Sequence, residues 1–380
     1  MPLNELTRIG GVWVAGDGRR ATPGPAVGTR EWRASLVPGT FLPDDRTNGL
    51  LYGTKLADVS AAIPGDLEHV DLGSSTLTLG TVPVYNKLYW GKIKMARNGW
   101  NGTGSAGGNI AVAGPRPDLV TPGDVFYLVS AYDTDTSQHA FDDVLVNPLL
   151  WMRSDAPGGP WTETQIREAY LNSVGVKGGY GTFRNWKVAN CQDDWQWSNN
   201  RVDDADTRFT LIEHPWLEHP IWYAGPLWPS QLEGTHSDNL QPQVGQNFTA
   251  RGGLIGGPND PDSLTAAGCG VTWKQEDWRS GTTPLPAWRK QRNIHYDRVM
   301  FWFASGGNFN VNIAYNPTYP NDFSDDCSMT GCLHVFRDDA KYVNREAAYF
   351  AHLDDPTNRV ISNPSSGTWT DLGAVTYTNG

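Results

Sequence analysis

Two sets of residues in this chain have the types and spacing that acid–base chemistry needs. The first lies in the stretch EGTHSDNLQPQ, Glu233 to Gln243, where His236 and Asp238 stand two apart and point the same way in an extended strand. A His–Asp pair is the minimum equipment for general acid–base work. Leu240 shares their parity, so a regular strand that buries Leu240 buries the pair as well, where it would need internal hydrogen bonds. A turn at Ser237 or Asp238 would instead release the pair toward a ligand. The second set is the carboxylate cluster Asp193, Asp194, Asp203, Asp204 and Asp206, interleaved with Trp195 and Trp197. Two carboxylates flanking a sugar are the usual equipment of glycoside hydrolysis, and aromatic rings offer flat apolar faces on which pyranoses stack. In an acidic chain such aspartates also serve as solvated turn residues.

Tryptophan is dense in the same region, at Trp186, Trp195, Trp197, Trp216, Trp222 and Trp228. Some of these rings must be core or subunit-contact residues, since Trp is buried on average and enriched in interfaces. Trp195, Trp197, Trp216 and Trp222 are the candidates for a glycan-stacking platform. No G-x-x-x-x-G-K-S/T loop and no G-x-S-x-G elbow occurs. The four cysteines, Cys191, Cys269, Cys327 and Cys332, lack paired metal spacing. No metal and no cofactor is expected. Free buried thiols are the default for the cysteines, with a Cys327–Cys332 bridge as the alternative.

The elements that must position these residues are short strands. Period-two alternation runs through Leu77, Leu79, Val84, Leu88, Trp90 and Ile93, and the segments DVFYLVSAYD, GTFRNWKVANC, NFTARGGLIGG, DRVMFWFASGG and FNVNIAYN are strand candidates bounded by Gly, Asn or Asp. One segment, Thr162 to Ser173, reads as a helix, with Thr162 as N-cap and Ile166, Tyr170 and Leu171 on one face. A doubly wound α/β sheet needs many such helices and is excluded. The irregular spacing of about 20 to 30 residues fits a right-handed parallel β-helix interrupted by loops. In such a fold each coil stacks on the last, and inward side chains form ladders of apolar residues and asparagine.

Composition bounds the partners. The 380 residues hold 42 Gly, 26 Pro and 17 Trp, with a net charge of −11 and no Lys/Arg block, so there is no basic footprint for nucleic acid. No stretch approaches the roughly 18 apolar residues of a membrane span, and the N-terminus lacks a basic region followed by an apolar core. Synthesis in a cytoplasm without a secretory signal and without membrane insertion is expected. Residues 1–35, with the tract DGRRATPGPAVGT, read as an attachment arm, 36–340 as the β-helix body and 341–380 as a C-terminal cap.

Four blocks together resemble the β-helical minor tail or tail-spike proteins of phages that infect actinobacteria. PDDRTNGLLYGTKL (Pro43 to Leu56) is similar to the block preceding that family's first coils, and VYNKLYWGKIKM (Val84 to Met95) to its first coil. FRNWKVANC (Phe183 to Cys191) resembles its recurring coil, and the fourth block is the His236–Asp238 stretch. The chain departs from the family at Asp238-Asn239-Leu240, where Asp-Gly followed by Ile or Val is usual, and in an insertion from Asp203 to Gly225. The resemblance implies a homotrimeric virion component that docks on other tail proteins and contacts host envelope glycan. The alternative expectation is a polysaccharide depolymerase, a glycoside hydrolase or lyase, whose candidate catalytic residues are His236, Asp238, Asp193 and Asp194.

Overall fold

The computed structural model describes residues 6–9, 12–15, 67–79, 87–95, 110–121, 124–131, 139–142, 144–184, 186–198, 208–218, 238–244, 246–257, 269–273, 292–303, 309–313, 328–336, 357–362 and 370–374. His236, Trp222, Trp228, Asp203, Asp204, Asp206 and the block Pro43 to Leu56 lie outside them, as does most of the arm.

The fold is all-β apart from one α-helix and two short 3-10 turns among the described residues, and its larger sheet, mainly parallel, curls like half a barrel. Three parallel ladders make up the body. The first is a six-stranded sheet of His139–Asp142, Gly181–Arg184, Thr210–Glu213, Gln246–Arg251, Arg292–Asp297 and Ser328–Thr330. The second stacks Val144–Val146, Lys187–Ala189, Trp216–Glu218, Leu254–Gly257, Met300–Phe303 and Leu333–Phe336. The third stacks Phe126–Ala131, Ser173–Gly178, Asp193–Ser198, Asp238–Val244, Cys269–Trp273 and Phe309–Ile313. From His139 onward the chain visits the ladders in a fixed cycle, first, second, third, and each strand pairs in parallel with the next strand of its own ladder. Lys87–Met95 lies at the early end of both the second and third ladders, pairing with Ile110–Val112 and with Phe126–Ala131. Glu68–Leu79 pairs with it in turn, and Arg359–Ser362 and Thr370–Ala374 form an antiparallel pair at the far end.

Alternation in the sequence builds the first ladder. Thr210 and Ile212 are buried while Leu211 and Glu213 are half-buried, and Gln246 to Arg251 repeats the same in–out pattern. Stacking then lines up Phe183, Ile212, Ala250, Tyr296 and Met329 as one inner row. The second ladder contributes the inner row Val188, Leu217, Ile255, Phe301 and His334. Aromatic rings continue across the interior: Trp197 meets Phe248 at 4.8 Å between centroids, Phe248 meets Tyr296 at 5.9 Å, and Tyr296 meets Phe301 at 5.4 Å. An asparagine pair also lies inside, with Asn190 Nδ2 donating to Asn147 Oδ1 at 3.1 Å.

Two-residue corners join the first ladder to the second. The described corners place residues in the left-handed region: His214 (φ 53°), Gly252 (61°) with Gly253 (82°), Arg298 (56°) and Gly331 (62°). The corners bond to one another, His214 N–H to the Arg251 carbonyl, Gly252 N–H to that of Asp297 and Arg298 N–H to that of Thr330. Gly253 has no alternative, because a Cβ there would fall 2.3 Å from the Pro215 carbonyl oxygen.

Immediately before the corners, the outer row alternates in charge. Arg184 Nε lies 2.6 Å from Glu213, Arg251 reaches Glu213 at 3.3 Å and Asp297 at 3.1 Å, and Arg298 closes on Asp297 at 2.8 Å. Burial pushes the Asp297 carboxyl up, but hydrogen bonds and charge from Arg298 and Arg251 outweigh it and hold it below the usual carboxylate range. Arg251→Ala is expected to cost less than about 1 kcal/mol, because the guanidinium is exposed and screened. Urea midpoints at low and high salt check this: the loss should shrink as salt rises.

The expected helix forms over Glu163–Ala169. Thr162 accepts from Gln165 N–H while Gln165 reaches back to the Thr162 N–H, a complete capping box, and Ile166 and Tyr170 are fully buried. Cys191 and Cys332 are free and buried among the described residues, and Cys327 lies outside them.

Candidate functional site

The third ladder brings Asp193 and Asp238 together. Trp195 pairs with Leu240, Gln196 with Gln241 and Trp197 with Pro242, which places the two aspartates at the same position of adjacent strands. Neighbouring strands run about 5 Å apart, so these carboxylates are next-door neighbours. The Asp238 N–H donates to Asp193 Oδ1 at 3.1 Å, Gln196 Nε2 donates to Asp193 Oδ2 at 2.8 Å, and Gln241 Nε2 donates to Asp238 Oδ2 at 3.3 Å. Both carboxylates are about 4% exposed.

The glutamine row continues through half-buried Lys177 and Ser130 to exposed Lys94. Lys177 Nζ donates to Gln196 Oε1 at 3.3 Å and sits 5.8 Å from the centroid of exposed Tyr127. Asp193 and Asp238 therefore stand on the outer side of this ladder, although Leu240 is in the core. The parity argument fails at a bend. Asn239 and Leu240 are both fully buried, as are Asp194 and Trp195 and, on Phe126–Ala131 two strands before those, Leu128 and Val129. Two consecutive inward residues on each strand shift the face by one, which separates Asp238 from Leu240.

Asp194 goes inward. Its Oδ2 accepts from Asn239 Nδ2 at 2.8 Å, and the same amide donates to the Leu217 carbonyl at 3.1 Å. Cys191 is close enough to feel it: burial pushes this thiol well above its ordinary range, and the charges of Asp194 and Asp193 add to the rise. Asp194 is thus an interior hydrogen-bonding residue, separated by the sheet from Asp193.

The tryptophans are also placed by burial, and here the expectation of a stacking platform is corrected. Trp195 and Trp197 are fully buried and Trp216 is 1% exposed. Trp195 stands edge-on to Phe183 at 5.3 Å and tilted against Trp186 at 5.2 Å, and Trp197 donates its Nε1–H to Thr210 Oγ1 at 2.9 Å. A ring packed on all sides has no face to offer a pyranose. The exposed ring of the strip is Tyr127, which no motif in the sequence singles out. Beside it Ser74, Lys92, Pro115, Leu119, Asp124 and Phe126 line a cleft of about 240 Å³.

A signal for the carboxylate pair does exist in the sequence. DDWQW at Asp193 to Trp197 and DNLQP at Asp238 to Pro242 agree position by position: an acid, Asp or Asn, an apolar residue, Gln, an apolar residue. This local repeat matches the register that joins the two aspartates.

Among the described residues no His, Cys, Asp or Glu group has metal-binding geometry, and no helix is long and apolar enough to cross a membrane. What fold and site define is a mostly-β protein, its ladders stacked in parallel, with an outer strip of paired acids, glutamines, lysine and tyrosine. Comparison with family models, with curated proteins and with solved structures returns no match for this chain.

Proposed function

We propose that the chain winds as a right-handed parallel β-helix and serves as a minor tail protein of a phage, a homotrimer in the virion that docks on other tail proteins and contacts host envelope glycan. The observation that carries this reading is the fixed cycle through three parallel ladders, the stacking pattern that a β-helical shaft requires. The four sequence blocks supply the assignment to a tail. The strip on the third ladder supports glycan contact: exposed Tyr127 offers a ring, half-buried Lys177 and Gln196 offer polar groups, and the cleft at Lys92 and Asp124 extends the strip.

A second reading, depolymerase activity, is favoured by one observation, the register that sets Asp193 beside Asp238. Retaining glycosidases hold their two carboxyls about 5 Å apart. The two readings separate in one experiment, in which purified protein is incubated with actinobacterial envelope glycan and both retained binding and reducing-end release are followed. Binding without release, weakened by Tyr127→Ala and Lys177→Ala, is the expected outcome. Release that falls by about 100-fold or more in Asp193→Asn and Asp238→Asn would make the protein a depolymerase. Neither binding nor release would leave it a structural part.

A further inference from the structure

Away from that strip, the outer face of the first ladder holds a chain of hydrogen bonds whose direction is fixed from one end to the other. We propose that Ser328, His295 and Asn293 form a nucleophile, base and orienting group competent for acyl transfer from a small ester. Nothing in the glycan reading requires this centre, and it stands on its own geometry.

His295 and Ser328 occupy the same position of adjacent strands, with Ser328 Oγ 2.7 Å from His295 Nδ1. His295 Nε2 lies 2.7 Å from Asn293 Oδ1. The first distance is within the reach a base needs to take a hydroxyl proton, and the second is the contact that holds a base in one orientation.

The network decides which imidazole nitrogen carries the proton. At its far end is the Arg208 backbone carbonyl, which only accepts. Asn247 must therefore turn its Nδ2 toward it, at 3.0 Å, which leaves Asn247 Oδ1 as an acceptor. Asn293 Nδ2 donates to that oxygen at 2.8 Å, so the Asn293 Oδ1 faces His295 and accepts in turn. The proton of His295 is then on Nε2, and Nδ1 carries the lone pair directed at the Ser328 hydroxyl. Both asparagines sit at left-handed backbone positions, φ 60° at Asn247 and 53° at Asn293, a conformation Asn adopts more readily than most residues. Adjacent strands repeat this turn in register, which stacks the two amides. The pair is also reachable, since His295 and Ser328 are half-buried and Asn293 is exposed.

In the step proposed, Ser328 Oγ bonds to the carbonyl carbon of an ester as its proton passes to His295 Nδ1. The resulting imidazolium keeps its Nε2–H on Asn293 and returns the Nδ1 proton to the alkoxide as the C–O bond breaks, leaving an acyl-serine and an alcohol. Water then attacks the acyl-serine, giving its proton to Nδ1, and the carboxylic acid leaves with Ser328 restored. The atoms balance without any further reactant. Asn293 and Asn247 are positioning residues that act through the imidazole.

The test uses the full chain with two probes, an aryl fluorophosphonate and 4-nitrophenyl acetate. A single phosphonyl adduct located at Ser328 by mass spectrometry is expected, together with nitrophenolate release above the buffer rate. Ser328→Ala should abolish both, and His295→Gln should lower both by about 100-fold or more. Asn293→Leu should lower kcat and displace the acid limb of the pH–rate profile, with Asn293→Asp restoring it, a pattern that loss of fold alone would not give. Absence of a Ser328 adduct on the folded, unsubstituted protein overturns the proposal even if a variant fails to fold, and so does equal turnover by a folded Ser328→Ala.

Discussion

Trp195→Ala is expected to destabilise the protein by about 3–5 kcal/mol while leaving any glycan contact at the Tyr127 strip intact. The indole is fully buried, in contact with Phe183 and Trp186, and in the same inner row as Val176 and Leu240. Its fit is tight on the neighbouring strand as well, where a Cβ at Gly178 would come within 2.3 Å of its Nε1. Truncation removes a large apolar surface and leaves a cavity between rigid stacked strands that cannot collapse to fill it. Urea denaturation of the variant, set beside its glycan retention, distinguishes the two roles this residue has been given. A large fall in midpoint with binding retained is the result expected of a core residue. Lost binding at unchanged stability would return Trp195 to a sugar-stacking role.

The second large effect is on pH. His334 is fully buried in the inner row Val188, Leu217, Ile255 and Phe301, stacked on Phe301 at 5.3 Å, and neither ring nitrogen has a hydrogen-bond partner among the described residues. Burial alone lowers its pKa from 6.5 to about 4. Between those values the unfolded chain binds a proton that the native protein excludes, so stability falls as pH drops from about 6.5 through 4. The loss amounts to roughly 3 kcal/mol once both states are protonated. Urea midpoints measured across this window should show the decline, and His334→Leu should remove that part of it while leaving stability near neutral pH at least as high. Parallel declines in the two proteins would mean that this imidazole does not set the acid sensitivity.

His334 also shows how far the sequence could be read. The segment around it, SMTGCLHVF, alternates poorly, and nothing local says that a histidine lies in the core. Its position follows from pairing with Phe301 and Val360, each many residues away. The same holds for the tryptophans. Their density was plain, but a ring suited to a sugar face is equally suited to a core, and only packing tells the two apart. Thr162 is the opposite case, since a capping box is satisfied by four consecutive residues and needs no tertiary partner.

By itself the sequence determined what short-range physics controls: an all-β chain with period-two strands punctuated by Gly and Asn, and one capped helix. Tertiary structure alone decided which face each polar residue occupies. Side-chain direction in a strand reverses with every residue, so one bend at Asn239 and Leu240 sends Asp238 outward and keeps Leu240 inside. Parallel stacking then sets residues dozens of positions apart about 5 Å from one another, joining Asp193 to Asp238 and Ser328 to His295. Those juxtapositions depend on the lengths of the intervening loops, which no local pattern specifies, and every chemical possibility in this protein rests on them.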